Sequence, residues 1–362
     1  PAGKHYPPFH DVQLLVEGES ATALGNLARE RWYRATEQRL PRRKRKNRSS
    51  PWPQSVSPDM QDVNVAIART EHAYRKRQEV REVEQLYLDM IGAAVKYIYI
   101  ENQYFTSWKI GKALAGRLQE VNGPEVVLVL PLMSSGWLEQ YTMDVLRSRL
   151  LHQLQESDRY GRLRVYYPYA EGLGEDRIVL HSKVMVVDES FVRVGSSNLT
   201  NRSMGVDTEC DLAVESGGQD RIETMIAGFR NRLLAEHLGV ETAEMEKALG
   251  SDNLVIKAVE KLQGSERTLT PFPREEISWT GDFVPDGTID PPEPIDPEKV
   301  VEELVPQEVG ESGSKRVRNF ILIVLTLLAL AAAWRWTPLG DWIDLEALTS
   351  AGEYLRGNPA AP

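Results

Sequence analysis

The apolar positions of this chain change period several times, and each change marks an element. Val126-Val127-Leu128-Val129-Leu130 is an unbroken apolar run ending at Pro131, the pattern of a parallel strand buried on both faces. Tyr97-Ile98-Tyr99-Ile100 and Leu163 to Tyr167 read as further strands. Around them lie stretches of helical spacing. One runs from Glu71 to Lys96, with Val80, Val83, Leu86, Tyr87, Met90 and Ile91 on one face; others run from Ile110 to Asn122 and roughly from Gly136 to Gln155. The opening from Tyr6 to Gly18 ends in a strand-like run, and Ser20 caps a helical pattern through Ala21, Leu24, Leu27, Ala28, Arg31 and Trp32. Arg177 to Val187 and Phe191 to Val194 flank the turn Asp188-Glu189-Ser190 and predict a β-hairpin. Asp211 to Val214 is one more strand, and Gln219 to His237 is a closing amphipathic helix stopped by Gly239. Strands alternating with helices predict an α/β layered domain.

The hairpin also carries the chemistry. Residues two apart on a strand share a face, so His181 and Lys183 point the same way. Ser196 and Asn198 follow the second strand. An imidazole, an ammonium, a hydroxyl and an amide suit a phosphate: cation and donors hold its oxygens, while imidazole attacks phosphorus or moves a proton.

These residues stand in the order His-x-Lys-x4-Asp-x6-Gly-Ser-x-Asn, through His181, Lys183, Asp188, Gly195, Ser196 and Asn198. The order resembles the motif of the phospholipase D superfamily. Glu101-Asn102-Gln103-Tyr104-Phe105 is similar to a segment of the same family, as is the opening, where His10-Asp11-Val12 leads to a helix ending in Arg31-Trp32. The resemblance implies a layered sheet with helices on both faces and a metal-independent phosphodiesterase that needs no cofactor. Two His-Lys motifs would face each other, one histidine forming a phosphohistidine while the other protonates the leaving alcohol. On that basis His181 is the acid/base, and Lys183, Asn198 and Ser196 hold the phosphoryl oxygens. Glu209 is expected to be the carboxylate on the catalytic histidine, and Glu101 and Gln103 are expected on the substrate rim. Asp188 belongs to the motif's catalytic set, yet its place in the turn suits holding neighbouring donors better than touching substrate. His10 is expected to bond locally within its strand.

This chain has one such motif, so the resemblance implies that the other lies upstream or comes from a second copy. Residues 1–250 are then the C-terminal half of a phospholipase D-like domain, inactive when isolated. The expected substrate is a phospholipid, cleaved to phosphatidate or transferred to an alcohol. Cardiolipin-synthase-like phosphatidyl transfer and a silent membrane-anchored lipid-binding module are the alternatives.

Composition adds the setting. Cys210 is the only cysteine, so no intrachain disulfide forms and a reducing compartment fits. The net charge of −10 resides in residues 251–314, which hold 15 Asp/Glu against 5 Lys/Arg and are Pro-rich, as a linker would be. Residues 39–48 carry seven cations and no acid: a solvated loop, with anionic lipid headgroups as the sharper reading. Nucleic acid is not an expected partner, since charge alone favours it. Phe320 to Trp334 is uncharged, with Lys315, Arg316 and Arg318 before it and Trp334 and Trp336 at its far end. Residues 315–337 therefore predict a transmembrane helix, about 27 Å long over 18 residues, with the catalytic part on the cytoplasmic side of an inner membrane. Trp336 to Trp342 resembles the entry to a VTT (DedA-like, SNARE-associated) membrane domain, which some bacterial phospholipase D proteins carry, so 338–362 are expected to begin one.

Overall fold

The computed structural model describes residues 6–41, 51–74, 76–134, 137–173, 177–250, 252, 254–273 and 289–293. They fall within one compact unit, 1–295. In chain order the described elements are β1 (Phe9–His10), α1 (Glu19–Thr36), β2 (Ala66–Glu71), β3 (Val80–Arg81), α2 (Glu82–Ala93), β4 (Tyr97–Glu101), α3 (Trp108–Gln119), β5 (Glu125–Val129), α4 (Trp137–Ser157), β6 (Leu163–Ala170), β7 (Val179–Leu180), β8 (Val184–Val187), β9 (Phe191–Gly195), α5 (Asn201–Gly205), β10 (Glu209–Glu215), α6 (Asp220–Leu238), α7 (Thr242–Leu249), α8 (Val255–Leu262) and β11 (Arg267–Pro271). Nine strands form a mixed sheet in the order β11-β6-β5-β4-β8-β9-β10-β2-β3, and β1 pairs with β7 in parallel.

Both faces of the sheet are covered, which is why its central strands are apolar throughout. Alternate residues go to opposite cores. Ile98, Ile100, Val126, Leu128, Met185 and Val187 pack on the side of α2, α3 and α4, with Tyr87, Leu114 and Leu154. Tyr97, Tyr99, Val127, Val129, Val184 and Val186 pack on the side of α6, α7 and α8, with Ile226, Met245 and Val259. The mixed α/β layering agrees with the pattern of the sequence. The β8–β9 hairpin sits at the centre of the sheet, paired with β4 on one side and β10 on the other.

Four expectations are corrected. The helix expected from Glu71 begins only at Glu82; before it, β2 pairs with β10 and β3 with β2, where Ala68 and Thr70 are buried on alternate positions. Every apolar residue cited for that helix except Val80 falls inside α2. At the opening the strand is Phe9–His10, and residues 11–17 have no regular structure. In the first arm of the hairpin, β7 and β8 are separated by residues 181–183, which leave the ladder. The domain also runs past 250: α8 buries Val255, Ile256, Ala258 and Val259, and β11 completes the sheet beside β6. The acidic average over 251–314 masked an amphipathic helix and an edge strand.

Among the described residues no helix is long and apolar enough to cross a membrane. The expected span at 315–337, the tail at 338–362, most of the linker and most of the basic run lie outside the described residues.

Candidate active site

Residues 181–183 follow β7 and precede β8, and β1 delivers its own next residue to them. The β1–β7 pairing sets His10 against Leu180, and the His181 N–H donates to the His10 carbonyl at 2.8 Å. Asp11, the next residue, then faces His181: Nδ1 of the imidazole donates to Asp11 Oδ2 at 3.2 Å. The ring of Phe9 lies 5.6 Å from the His181 ring, and the imidazole stays partly open to solvent. The carboxylate on His181 is therefore Asp11, not Glu209. Glu209 begins β10, and its carboxylate accepts from the hydroxyls of Ser196 and of Ser203, the latter at 2.7 Å. Burial raises the Glu209 carboxyl, opposed by those two hydroxyls.

Lys183 is buried, and its Nζ donates to Gln103 Oε1 at 3.2 Å and to the His181 carbonyl at 2.8 Å. Burial pulls its ammonium down to about 8, with Asp11 and Glu209 pulling the other way. Gln103 is thus brought to the site.

Glu101 is not on a rim. It is wholly buried beneath residue 182 and accepts four hydrogen bonds: Ser182 Oγ at 2.5 Å, Tyr99 OH at 2.5 Å, His10 Nε2 at 2.8 Å and His237 Nε2 at 3.2 Å. Burial alone would raise this carboxyl, but the charges and hydrogen bonds of His237 and His10 outweigh it and hold the group well below the usual range. Burial lowers the His10 imidazole, yet its bond to Glu101 and the nearby Glu236 carboxylate carry it above its ordinary value. His10 bonds across the fold, to Glu101 and Glu236, not locally. His10, Glu101 and His237 are also the described residues spaced to hold a metal ion. Each Glu101 oxygen already accepts two donors, so the geometry is that of a hydrogen-bonded cluster supporting the loop.

The second arm explains Gly195. A Cβ there would lie 1.9 Å from Asp211 Oδ1. Arg193 and Asp211 form an ion pair with no exposed surface on either side chain. Arg193 also donates to the carbonyls of Lys183 at 3.1 Å and Ser197 at 3.2 Å, and stacks 4.5 Å from the Tyr87 ring. One buried cation therefore supports both chemical loops. Ser196 is exposed, but its hydroxyl is engaged by Glu209 and by the Cys210 N–H at 3.0 Å. Asn198 is half-buried; its N–H donates to Ser203 Oγ at 3.2 Å, while its side-chain oxygen is buried without a partner. A carboxamide in that position has hydrogen-bonding capacity left for a ligand, as oxygen or, after a flip, as NH2.

Asp188 is excluded from the chemical end. The four residues of β8, roughly 13 Å of strand, separate it from Lys183. Its carboxylate accepts the N–H groups of Val95, Lys96 and Tyr97 at 2.9, 2.8 and 2.9 Å, which holds its turn against the start of β4. Asp11, Ser182, Ser203, Arg193 and His237 escaped sequence reasoning. Only Asp11 carried a signal, standing beside His10 in the His-Asp-Val opening.

Part of the chain is similar to known proteins. Residues 87–232 match the family model described as "Cardiolipin synthase, PLD-like domain". Phospholipase D1 of Saccharomyces cerevisiae is 24% identical over 307 aligned positions, covering 66% of this chain and 18% of that protein. Phospholipase D A of Dictyostelium discoideum is 27% identical over 204, covering 44% of this chain and 16% of that protein. The chain thus spans less than a fifth of the length of either relative. Among solved structures, the phospholipase D family member Nuc from Salmonella typhimurium covers 47% of this chain and 93% of its own, at 17% identity and a TM-score of 0.31. Phosphatidylserine synthase from Haemophilus influenzae Rd KW20 covers 54% and 44%, at 18% identity and a TM-score of 0.36. Residues 87–232, about two fifths of the chain, are therefore similar to the PLD-like domain that this family model describes.

Proposed function

We propose that this domain supplies one half of a phospholipase D-type active site, which cleaves a phospholipid headgroup ester to phosphatidate through a phosphohistidine. The observation that carries the reading is the His181–Asp11 pair beside the buried Lys183 ammonium. A carboxylate on Nδ1 keeps the proton there and leaves Nε2 to exchange a proton with substrate. In the proposed reaction a histidine from the other half attacks phosphorus and its P–N bond forms as the P–O bond to the headgroup breaks. His181, protonated at Nε2, gives its proton to the departing alkoxide. It then takes a proton from water, whose oxygen displaces the phosphohistidine. Lys183, Gln103 and Asn198 face the phosphoryl group, where fixed charge and donors gain most as negative charge develops. The other His-Lys pair comes from residues preceding this stretch or from a second copy, and a membrane supplies the substrate.

Phosphatidyl transfer of the cardiolipin-synthase type is the second reading, favoured by the description of the matching family model. Here an alcohol replaces water in the final step.

The deciding assay is choline release from phosphatidylcholine vesicles in EDTA. It compares this chain, a version extended upstream, and the extended His181→Ala variant. Activity in the extended chain alone, abolished by His181→Ala, is the expected result. Activity in the chain as it stands points to a site shared between two copies. Silence in all three removes the phospholipase reading. A new phosphatidyl ester on adding a primary alcohol distinguishes transfer from hydrolysis.

A further inference from the structure

We propose that residues 289–293 are a latch on the candidate active site, with Asp290 as the positioning residue that fastens the loop carrying Gln103 to the loop carrying Asn198. Asp290 has no exposed surface. One carboxylate oxygen accepts from Thr106 Oγ1 at 2.6 Å and from the Asn201 N–H at 2.8 Å; the other accepts from the Arg202 N–H at 2.9 Å. Its backbone carbonyl accepts from Asn201 Nδ2 at 3.1 Å. A carboxylate from about ninety positions away thus caps the first turn of α5, where free N–H groups favour negative charge.

Both loops lead straight to the site. Thr106 lies three residues past Gln103, which touches Lys183. α5 carries Ser203, whose hydroxyl accepts the Asn198 N–H and donates to Glu209. The loops are also stitched directly, Thr106 N–H and Ser107 N–H donating to the Leu199 carbonyl at 2.8 and 2.9 Å. Asp290 closes that seam from outside. The seat is shaped for the segment: a Cβ on Gly205 would lie 2.5 Å from the Pro292 carbonyl oxygen, and Arg81 Nη2 donates to the same oxygen at 3.2 Å. The consequence for turnover rests on the phosphodiesterase reading; the fastening itself does not.

The test is amide hydrogen exchange on the full 362-residue chain, comparing the wild type with Asp290→Ala and with Gly205→Ala, which displaces the segment without removing the carboxylate. Exchange at residues 106–107 and 198–202 should quicken at least about tenfold in both variants, with β8 and β9 unchanged. No change in the two loops, or a uniform rise across the sheet, overturns the latch. In whichever form turns over choline ester, Asp290→Ala should lower kcat/KM about tenfold, mainly through KM, and Asp290→Asn, which keeps one acceptor oxygen, should fall between. Loosened loops with unchanged kinetics would overturn the positioning role. Absence of turnover in every wild-type form, the upstream-extended one included, would sink the phosphodiesterase reading while the exchange result still decides the latch.

Discussion

At His181 the deciding contact is the 3.2 Å bond from Nδ1 to Asp11, because a carboxylate there selects the tautomer that frees Nε2. Asp11→Asn keeps the shape of the acceptor and removes its charge. It should lower turnover by about 10²-fold or more with little change in KM, and the hydrogen-bonded Nδ1 proton of His181 should vanish from the NMR spectrum. Lys183 makes a pH prediction with a definite sign. Its burial brings the ammonium down to about 8, so its positive charge is present below that pH and lost above it. Affinity for inorganic phosphate, followed by calorimetry, should weaken as pH rises through about 8, and Lys183→Met should abolish both the affinity and its pH dependence. At this scale the sequence singled out His181, Lys183 and Asn198 by their order in the motif and Gln103 by the separate Glu101–Phe105 segment, and the structure joins Gln103 to Lys183. It misassigned Glu209 and Glu101, since spacing along the chain says nothing about which distant carboxylate a side chain meets.

The β8–β9 hairpin is flanked by His181 and Lys183 on one side and Asn198 on the other, and its rigidity comes from what lies behind it. Arg193 and Asp211 are both fully buried, so removing one leaves the other charge without compensation. Arg193→Ala should cost about 3–5 kcal/mol in urea unfolding. Gly195→Ala should destabilise through a different route, since its methyl would overlap the Asp211 carboxylate. Measuring both singly and together tests whether the two routes meet at Asp211: the double variant should cost less than the sum. The hairpin itself was legible as two apolar runs about a turn. Its irregular break at 181–183 was not, because leaving the ladder there depends on β1 pairing with β7 and on Glu101 drawing Ser182 inward. The overlong helix at 71–96 failed for a similar reason: partners on β10 decide that Ala66–Glu71 is a strand.

Across the whole molecule, the sheet joins segments far apart in the chain, from β2 through β11. A chain ending at 250 loses β11, which covers the edge of β6, and α8, which buries Val255, Ile256 and Val259 at about 1.5–3 kcal/mol each. Such a chain should aggregate or unfold without a cooperative transition, while one ending at 295 should unfold as a single step by circular dichroism. The sequence by itself determined the α/β layering, since period and apolar run length follow from burial on one face or two. It also determined which polar side chains flank the hairpin, because residue type and order along the chain are read directly from it. Only the tertiary structure decided the partner of His181, the burial of Glu101, the reach of the domain past 250 and the latch at Asp290. Each of these is a contact between residues tens to hundreds of positions apart, and such contacts depend on how the sheet closes rather than on any local pattern.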